Sequence, residues 1–256
     1  MSKEKLKSCP FCGGKVYFVD CGDDDFEDWC IECEKCHITL VAPGAEEGAV
    51  PTKEEAAKAW NRRTNDVEEE LTEIQNIIPG TTIEASGIKM EILDPAYPAV
   101  EVDELGVLCL AKDILFEKAF DEENNNNWRE SSLREYLNGE YKDSLPEELK
   151  EALLPFERDL MANDGLKAYG KCTDDVSLIS EREYQDYREH ISDKSDWWWT
   201  LTAWSAKLGS SFSARLVGAG GSLGHSSAYN DSGGVSPAFL LLPSLKVRIV
   251  EESDNK

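Results

Sequence analysis

The chain has 256 residues, 41% of them apolar, which allows one large domain or two modest ones with packed cores. No run of about 18 apolar residues occurs, so no membrane-spanning helix is expected. A net charge of −24 repels phosphate backbones and disfavours general nucleic-acid binding. Solubility is the plain use of such a surface; imitation of nucleic acid before a DNA-binding protein is the sharper one.

Met1 to Lys7 lacks the apolar stretch of a signal peptide, so a cytoplasmic location is expected. Eight cysteines in such a chain are expected to hold metal as thiolates and not to form disulfides. Cys9-Pro10-Phe11-Cys12-Gly13-Gly14 and Cys33-Glu34-Lys35-Cys36 are two C-x-x-C turns at metal-ligand spacing. Cys9, Cys12, Cys33 and Cys36 are the expected ligands of one structural zinc ion. Cys30 also forms a C-x-x-C with Cys33, and His37 adjoins Cys36, so both stand as alternative ligands. Cys21 reads as a bystander thiol.

Between the two turns, Lys15–Val19 reads as a strand, Asp23–Asp25 as a solvated tip, and Trp29–Glu32 as the return strand. Thr52 with Glu55 fits a capping box, opening a helix whose Ala56, Ala59 and Trp60 share one face. Lys58, Arg62 and Arg63 complement the C-terminal end of that helix. In nucleic-acid binding, the alternative function, Arg62 and Arg63 would act with Lys7, Lys15 and Lys35.

Three pieces in order, Cys9-Pro-Phe-Cys12-Gly-Gly, Cys33-x-x-Cys36 and Glu55-Ala56-x-x-x-Trp60-Asn61-Arg62-Arg63, resemble the restriction-alleviation (Lar-type) zinc ribbons of phages and prophages. That family usually has glycine after the second turn, where this chain has His37. The resemblance implies a metal-stabilised ribbon over residues 1–64 and a role in modulating host restriction.

Residues 65–78 are expected to form an acidic linker, with a short helix running to about Ile74. A second module is expected over 79–250, and a disordered tail over 251–256. Ile83-Glu84 and Ile88–Leu93 suit a hairpin around Ser86-Gly87. Val107–Ala111 reads as a central strand with Cys109 in the core. Asn124–Asn127 reads as a polar loop. A helix is expected from Trp128 to Asn138-Gly139, another from a capping box at Ser144–Glu147 to Pro155, and a third from a box at Ser180–Glu183. Val176–Ile179, the tryptophan run to Thr202, Ala214–Val217, Val235–Leu242 and Val247–Val250 read as strands. Gly218, Gly220, Gly221 and Gly224 fit no phosphate-loop register and read as hairpin turns. Trp198, Trp199, Trp204 and Tyr229 are the candidate binding residues, by their aromatic character.

This half is similar to an uncharacterised domain of gut Firmicutes and their phages. The residues that carry the likeness are Trp128, Ser131, Leu133-Arg134, Tyr136-Leu137-Asn138, Val176, Leu178-Ile179-Ser180, Glu183, Trp198, Leu201-Thr202 and Gly234-Val235-x-Pro237-Ala238. Ser236 stands where that family usually has arginine. The resemblance implies a C-type-lectin-like antiparallel sheet with flanking helices, so the expected fold class is α+β. With three histidines, no H-E-x-x-H and no G-x-S-x-G, no catalytic constellation is expected. The expected protein is therefore a non-enzymatic binder of a host or phage protein.

Overall fold

The computed structural model describes residues 5–21, 29–41, 52–61, 71–100 and 104–250. Two compact units divide the chain, Met1–Glu69 and Glu70–Lys256. The fold class is α+β, with mostly antiparallel sheets and few helices. Among the described residues no helix is long and apolar enough to cross a membrane. Asp23–Asp25, Arg62, Arg63, most of the expected linker and the tail 251–256 lie outside the described residues.

The first unit holds strands β1 (Val16–Asp20), β2 (Trp29–Cys33) and β3 (Thr39–Val41) and helix α1 (Lys53–Asn61). Strand β2 is central, pairing antiparallel with both neighbours. Helix α1 starts at a reciprocal cap: the Thr52 amide donates to Glu55 Oε2 at 2.7 Å, and the Glu55 amide donates to Thr52 Oγ1 at 3.3 Å. Ala56 and Trp60 are buried against Ile31 of β2, with Ala59 packed beside them, and Ala57 is buried as well. Trp60 Nε1 donates to the Lys7 carbonyl at 3.0 Å, which ties the helix to the segment leading into the first cysteine turn.

The second unit continues with β4 (Thr72–Glu73), β5 (Thr82–Ala85), β6 (Ile88–Pro98), β7 (Leu105–Ala111) and β8 (Phe116–Glu117). Next come α2 (Ser132–Tyr136), α3 (Lys142–Ser144), α4 (Glu147–Glu151), β9 (Phe156–Asp159), β10 (Lys171–Asp174), β11 (Val176–Ser177) and α5 (Glu181–Asp186). The last strands are β12 (Trp198–Ala203), β13 (Ser213–Val217), β14 (Leu223–Ser227), β15 (Gly234–Val235), β16 (Ala238–Leu241) and β17 (Lys246–Ile249). They build a seven-stranded sheet ordered β11-β16-β7-β6-β5-β17-β4, a five-stranded sheet ordered β14-β13-β12-β15-β8, and the β9–β10 pair. The β5–β6 turn has Ser86 at φ 51° and Gly87 at φ 86°, the left-handed pair that suits a two-residue hairpin.

Strand alternation divides the core in two. Val107 and Cys109 of β7, Phe239 and Leu241 of β16, and Trp199 and Leu201 of β12 face one cluster. Leu108 and Leu110, Ala238 and Leu240, and Trp198 face the other. Strands covered on both faces read as continuous apolar runs, as Val107–Ala111 does. This overturns the expectation that Trp198 and Trp199 offer a binding surface: they are 1% and 0% exposed, because neither face of their strand meets water.

Other expectations are corrected by long-range partners. Of the helix expected to run to Ile74, the described end is a strand: Thr72–Glu73 pairs with Lys246–Val247, a single helical turn follows at Ile74–Asn76, and Ile74 is buried at this sheet edge. Helix α2 begins at Ser132, capped by Ser131, after a separate turn at Trp128–Glu130. The helix breaks at Gly139 as expected, at non-helical φ −112° and ψ −106°, and a further helical stretch follows the kink to Ser144. The Asn138 side chain ties the kink to the next segment: Oδ1 accepts from the Asp175 amide at 2.8 Å and Nδ2 donates to the Val176 carbonyl at 2.9 Å. Ser144 forms no capping box; its hydroxyl donates backwards to the Tyr141 carbonyl, and α4 starts after Pro146 and ends at Glu151. The box at Ser180 and Glu183 does form. The expected strand Val235–Leu242 is cut at Ser236-Pro237, and its halves enter different sheets. Gly218 and Gly221 sit in the β13–β14 turn, whereas Gly224 lies within β14.

Candidate metal centre

The two cysteine turns are built alike. In the first, the Cys9 amide donates to the Gly14 carbonyl and the Gly13 amide to the Cys9 carbonyl, both at 2.9 Å. In the second, the Cys33 amide donates to the Ile38 carbonyl and the His37 amide to the Cys33 carbonyl, both at 3.0 Å. The residue after each second cysteine takes a left-handed backbone, Gly13 at φ 69° and His37 at φ 55°. Gly14 answers a different need, close approach: a Cβ there would lie 2.9 Å from Lys35 Cβ and 3.1 Å from Cys33 Sγ.

These turns bring the sulfurs of Cys9, Cys12, Cys33 and Cys36 within 4.8 Å of one another. Cys9 Sγ lies 3.6 Å from Cys36 Sγ, and Cys12 Sγ 3.4 Å from Cys33 Sγ. A tetrahedron of Zn–S bonds near 2.3 Å has edges of roughly 3.8 Å, so the quartet has the scale of a four-thiolate site. Among the described residues it is the only set of three or more such ligands close enough to share an ion. Four sulfurs could hold a metal ion, zinc by the chemistry of the donors, and would leave it no open position.

The alternative ligands lie apart. Cys30 is fully buried in β2 outside the quartet, and Cys21 is exposed. His37 Nδ1 lies 3.1 Å from Glu32 Oε1, with the ring largely in solvent. Amide hydrogen bonds from Cys36 and Lys35 hold the Cys33 thiol down at about 6 against the opposing effect of burial. Cys36 rises to about 12: the Ile38 amide bond pulls it down, and burial and the neighbouring sulfurs outweigh that bond. A metal-free quartet thus keeps protons that a metal must displace, which makes metal uptake pH-dependent.

The left-handed His37 gives a direct test of the turn geometry. A side chain in that region costs roughly 1–2 kcal/mol, and the exposed Glu32 contact returns little. His37→Gly is expected to stabilise the holoprotein by about 1 kcal/mol at unchanged metal content, read by denaturant melts and elemental analysis. Lower stability in the variant would show that the ring has a structural role.

In the second unit the polar motif residues bind one another. Asp174, 1% exposed, accepts from Trp128 Nε1 at 2.8 Å, Arg134 Nε at 2.6 Å and Ser177 Oγ at 2.8 Å. Glu183 accepts from the buried Arg158. These contacts fix segments far apart in sequence, and Asp174 and Arg158 carried no signal that sequence reading could use. At the position of the missing arginine, Ser236 Oγ donates to the Ala111 carbonyl at 2.6 Å. Lys194 Nζ donates to the same carbonyl at 2.8 Å and to Lys112 O at 2.7 Å, so a buried cation is supplied there by another residue.

Of the candidate binding residues, Trp204 and Tyr229 offer surface, at 39% and 61% exposure. The Trp204 ring stacks on His225 at 4.2 Å, with the Arg215 guanidinium 5.1 Å from its centre. Asn126, expected in a polar loop, is fully buried and donates to the Ser205 and Ser213 carbonyls at 3.0 and 2.8 Å.

Comparison with known proteins gives a family over the second unit alone. No curated protein and no solved structure matches the chain. Residues 105–243, more than half of the 256, match the family described as Domain of unknown function (DUF6273). Beyond its four-cysteine cluster, then, the chain belongs to the DUF6273 family.

Proposed function

We propose that this protein is a non-enzymatic, phage- or prophage-type binding protein of the cytoplasm, with a structural zinc in a Lar-type ribbon and a lectin-like second module. Its role is to modulate host restriction, or another defence, by docking on a host or phage protein. The carrying observation is the closed quartet of Cys9, Cys12, Cys33 and Cys36, whose four sulfurs give a bound metal a structural task. The net charge of −24 supports a protein partner over nucleic acid. His225, near Ser226 and Asp231 in sequence, is engaged in a stack with Trp204, which suits a binding surface better than a triad.

The test is the plating efficiency of unmodified phage on a restricting host that expresses the protein. We expect efficiency to rise with the intact chain and to return to the control with Cys36→Ser. No change with the intact, zinc-loaded protein would remove the defence role. Salt-dependent retention of DNA by the purified chain would favour the nucleic-acid alternative.

A further inference from the structure

Strand β14 stands at one edge of the five-stranded sheet and pairs with β13 alone. The Gly218 amide donates to the Ser222 carbonyl at 2.7 Å and the Ala228 amide to the Phe212 carbonyl at 2.8 Å, so these two pairs bracket the ladder. In an antiparallel ladder, bonded pairs alternate with non-bonded ones. Counted inward from both ends, Gly224 and Ser226 bond to β13, whereas Leu223, His225 and Ser227 turn their N–H and C=O groups outward. The Ser227 carbonyl takes the Asn230 amide at 3.0 Å; the outward groups of Leu223 and His225 have no partner among the described residues. Both residues are exposed.

Proteins that stay monomeric keep such edges short or charged. The other open edges of the two larger sheets follow that rule: β4, β8 and β11 have two residues each, and Glu73 and Glu117 charge two of them. Strand β14 breaks it, with five residues, Leu-Gly-His-Ser-Ser, and no lysine, carboxylate or proline. The exception extends around the strand. From Trp197 to Asn230 the sequence has no Asp or Glu, in a chain where these make up 51 of 256 residues. Lys207 and Arg215 are the cations of that stretch, and Arg215 is neutralised by Glu181.

That charge pattern selects the occupant. A cationic partner would find no countercharge along this segment. Two copies of the chain, at −24 each, repel over most of their surfaces and can approach where carboxylates are missing. The edge is also self-complementary. Its outward residues are centred on His225, so a two-fold axis through His225 sets that residue against its own copy, and Leu223 against Ser227 of the second copy. We propose that two copies of this chain pair antiparallel through β14, joining their five-stranded sheets into one continuous sheet. The two Trp204–His225 stacks then become neighbours across the axis. The pairing belongs to the second unit and depends neither on the metal centre nor on the defence role.

Sedimentation equilibrium of the full zinc-loaded chain tests the pairing, as a dilution series in salt of about 0.5 M to screen the net charge. A species of twice the 28.6 kDa chain mass is expected, dissociating on dilution. His225→Glu places like charges directly opposite each other and should weaken self-association about fivefold or more. His225→Lys should do the same. An equimolar mixture of the two variants should restore the dimer, since the axis then joins opposite charges. The position is exposed, so both variants should melt near the wild-type temperature at low protein concentration. A monomer throughout the series would leave the edge to a strand of another protein and overturn the pairing. So would a dimer indifferent to both substitutions, or one that the mixture fails to restore.

Discussion

Cys36→Ser is expected to release the metal and unfold the first unit while the second unit melts as before. Among the described residues the core cluster of the first unit is small: it holds Cys9, Ile31, Cys33, Ala56 and Trp60, and two of these five are members of the quartet. So little apolar surface cannot offset the chain entropy of folding. A structural zinc ion contributes about 10–16 kcal/mol at neutral pH, and three sulfurs hold it far less well. Elemental analysis should find one zinc per intact chain and close to none in the variant. Amide spectra should lose the dispersed signals of β1, β2 and α1 and keep those of β7 and β16. A metal-free variant with the first unit still dispersed would contradict the structural role of the ion. A chelator should reproduce the variant in the wild-type chain.

The second large effect belongs to Glu183→Gln. Arg158 is 2% exposed and donates to Glu183 through both terminal nitrogens and to the Leu178 carbonyl at 2.9 Å. Tyr97 Oη donates to Glu183 Oε1 at 2.7 Å, and Glu183 also closes the cap of α5. The variant leaves a guanidinium buried without its countercharge, at a cost of about 3–5 kcal/mol. Burial alone would raise the Glu183 pKa; the Arg158 charge and its hydrogen bonds carry it below the ordinary 4.5. A depressed carboxylate gives its stability in full above the unfolded value and loses it as pH falls through the folded one. Urea midpoints of the wild type should therefore fall as the solution is acidified below 4.5, and the variant should be weaker at pH 7 and flatter in acid. Parallel acid profiles for the two chains would refute this account.

What was legible in the sequence is what short-range chemistry decides. The C-x-x-C turns pointed to four sulfurs, and the structure gathers those four. Thr52 with Glu55 and Ser180 with Glu183 cap their helices because each box closes within one turn. The same pattern failed at Ser144, because α4 starts two residues later, with Pro146 at its N-cap. The strand at Thr72–Glu73 could not be read, since its partner lies at Lys246–Val247. Nor could the burial of Trp198 and Trp199: alternation separates their faces but cannot say that both faces are covered.

The order of the larger sheet bears on how the protein is made. Strand β16 fills the gap between β11 and β7, and β17 joins β5 to β4. A nascent chain still lacking residues 238–249 thus exposes the inner edges of β7 and β5, and no amount of earlier waiting closes them. The larger sheet of this unit cannot close before residues 238–249 are available, and products truncated ahead of them are the natural clients of chaperones.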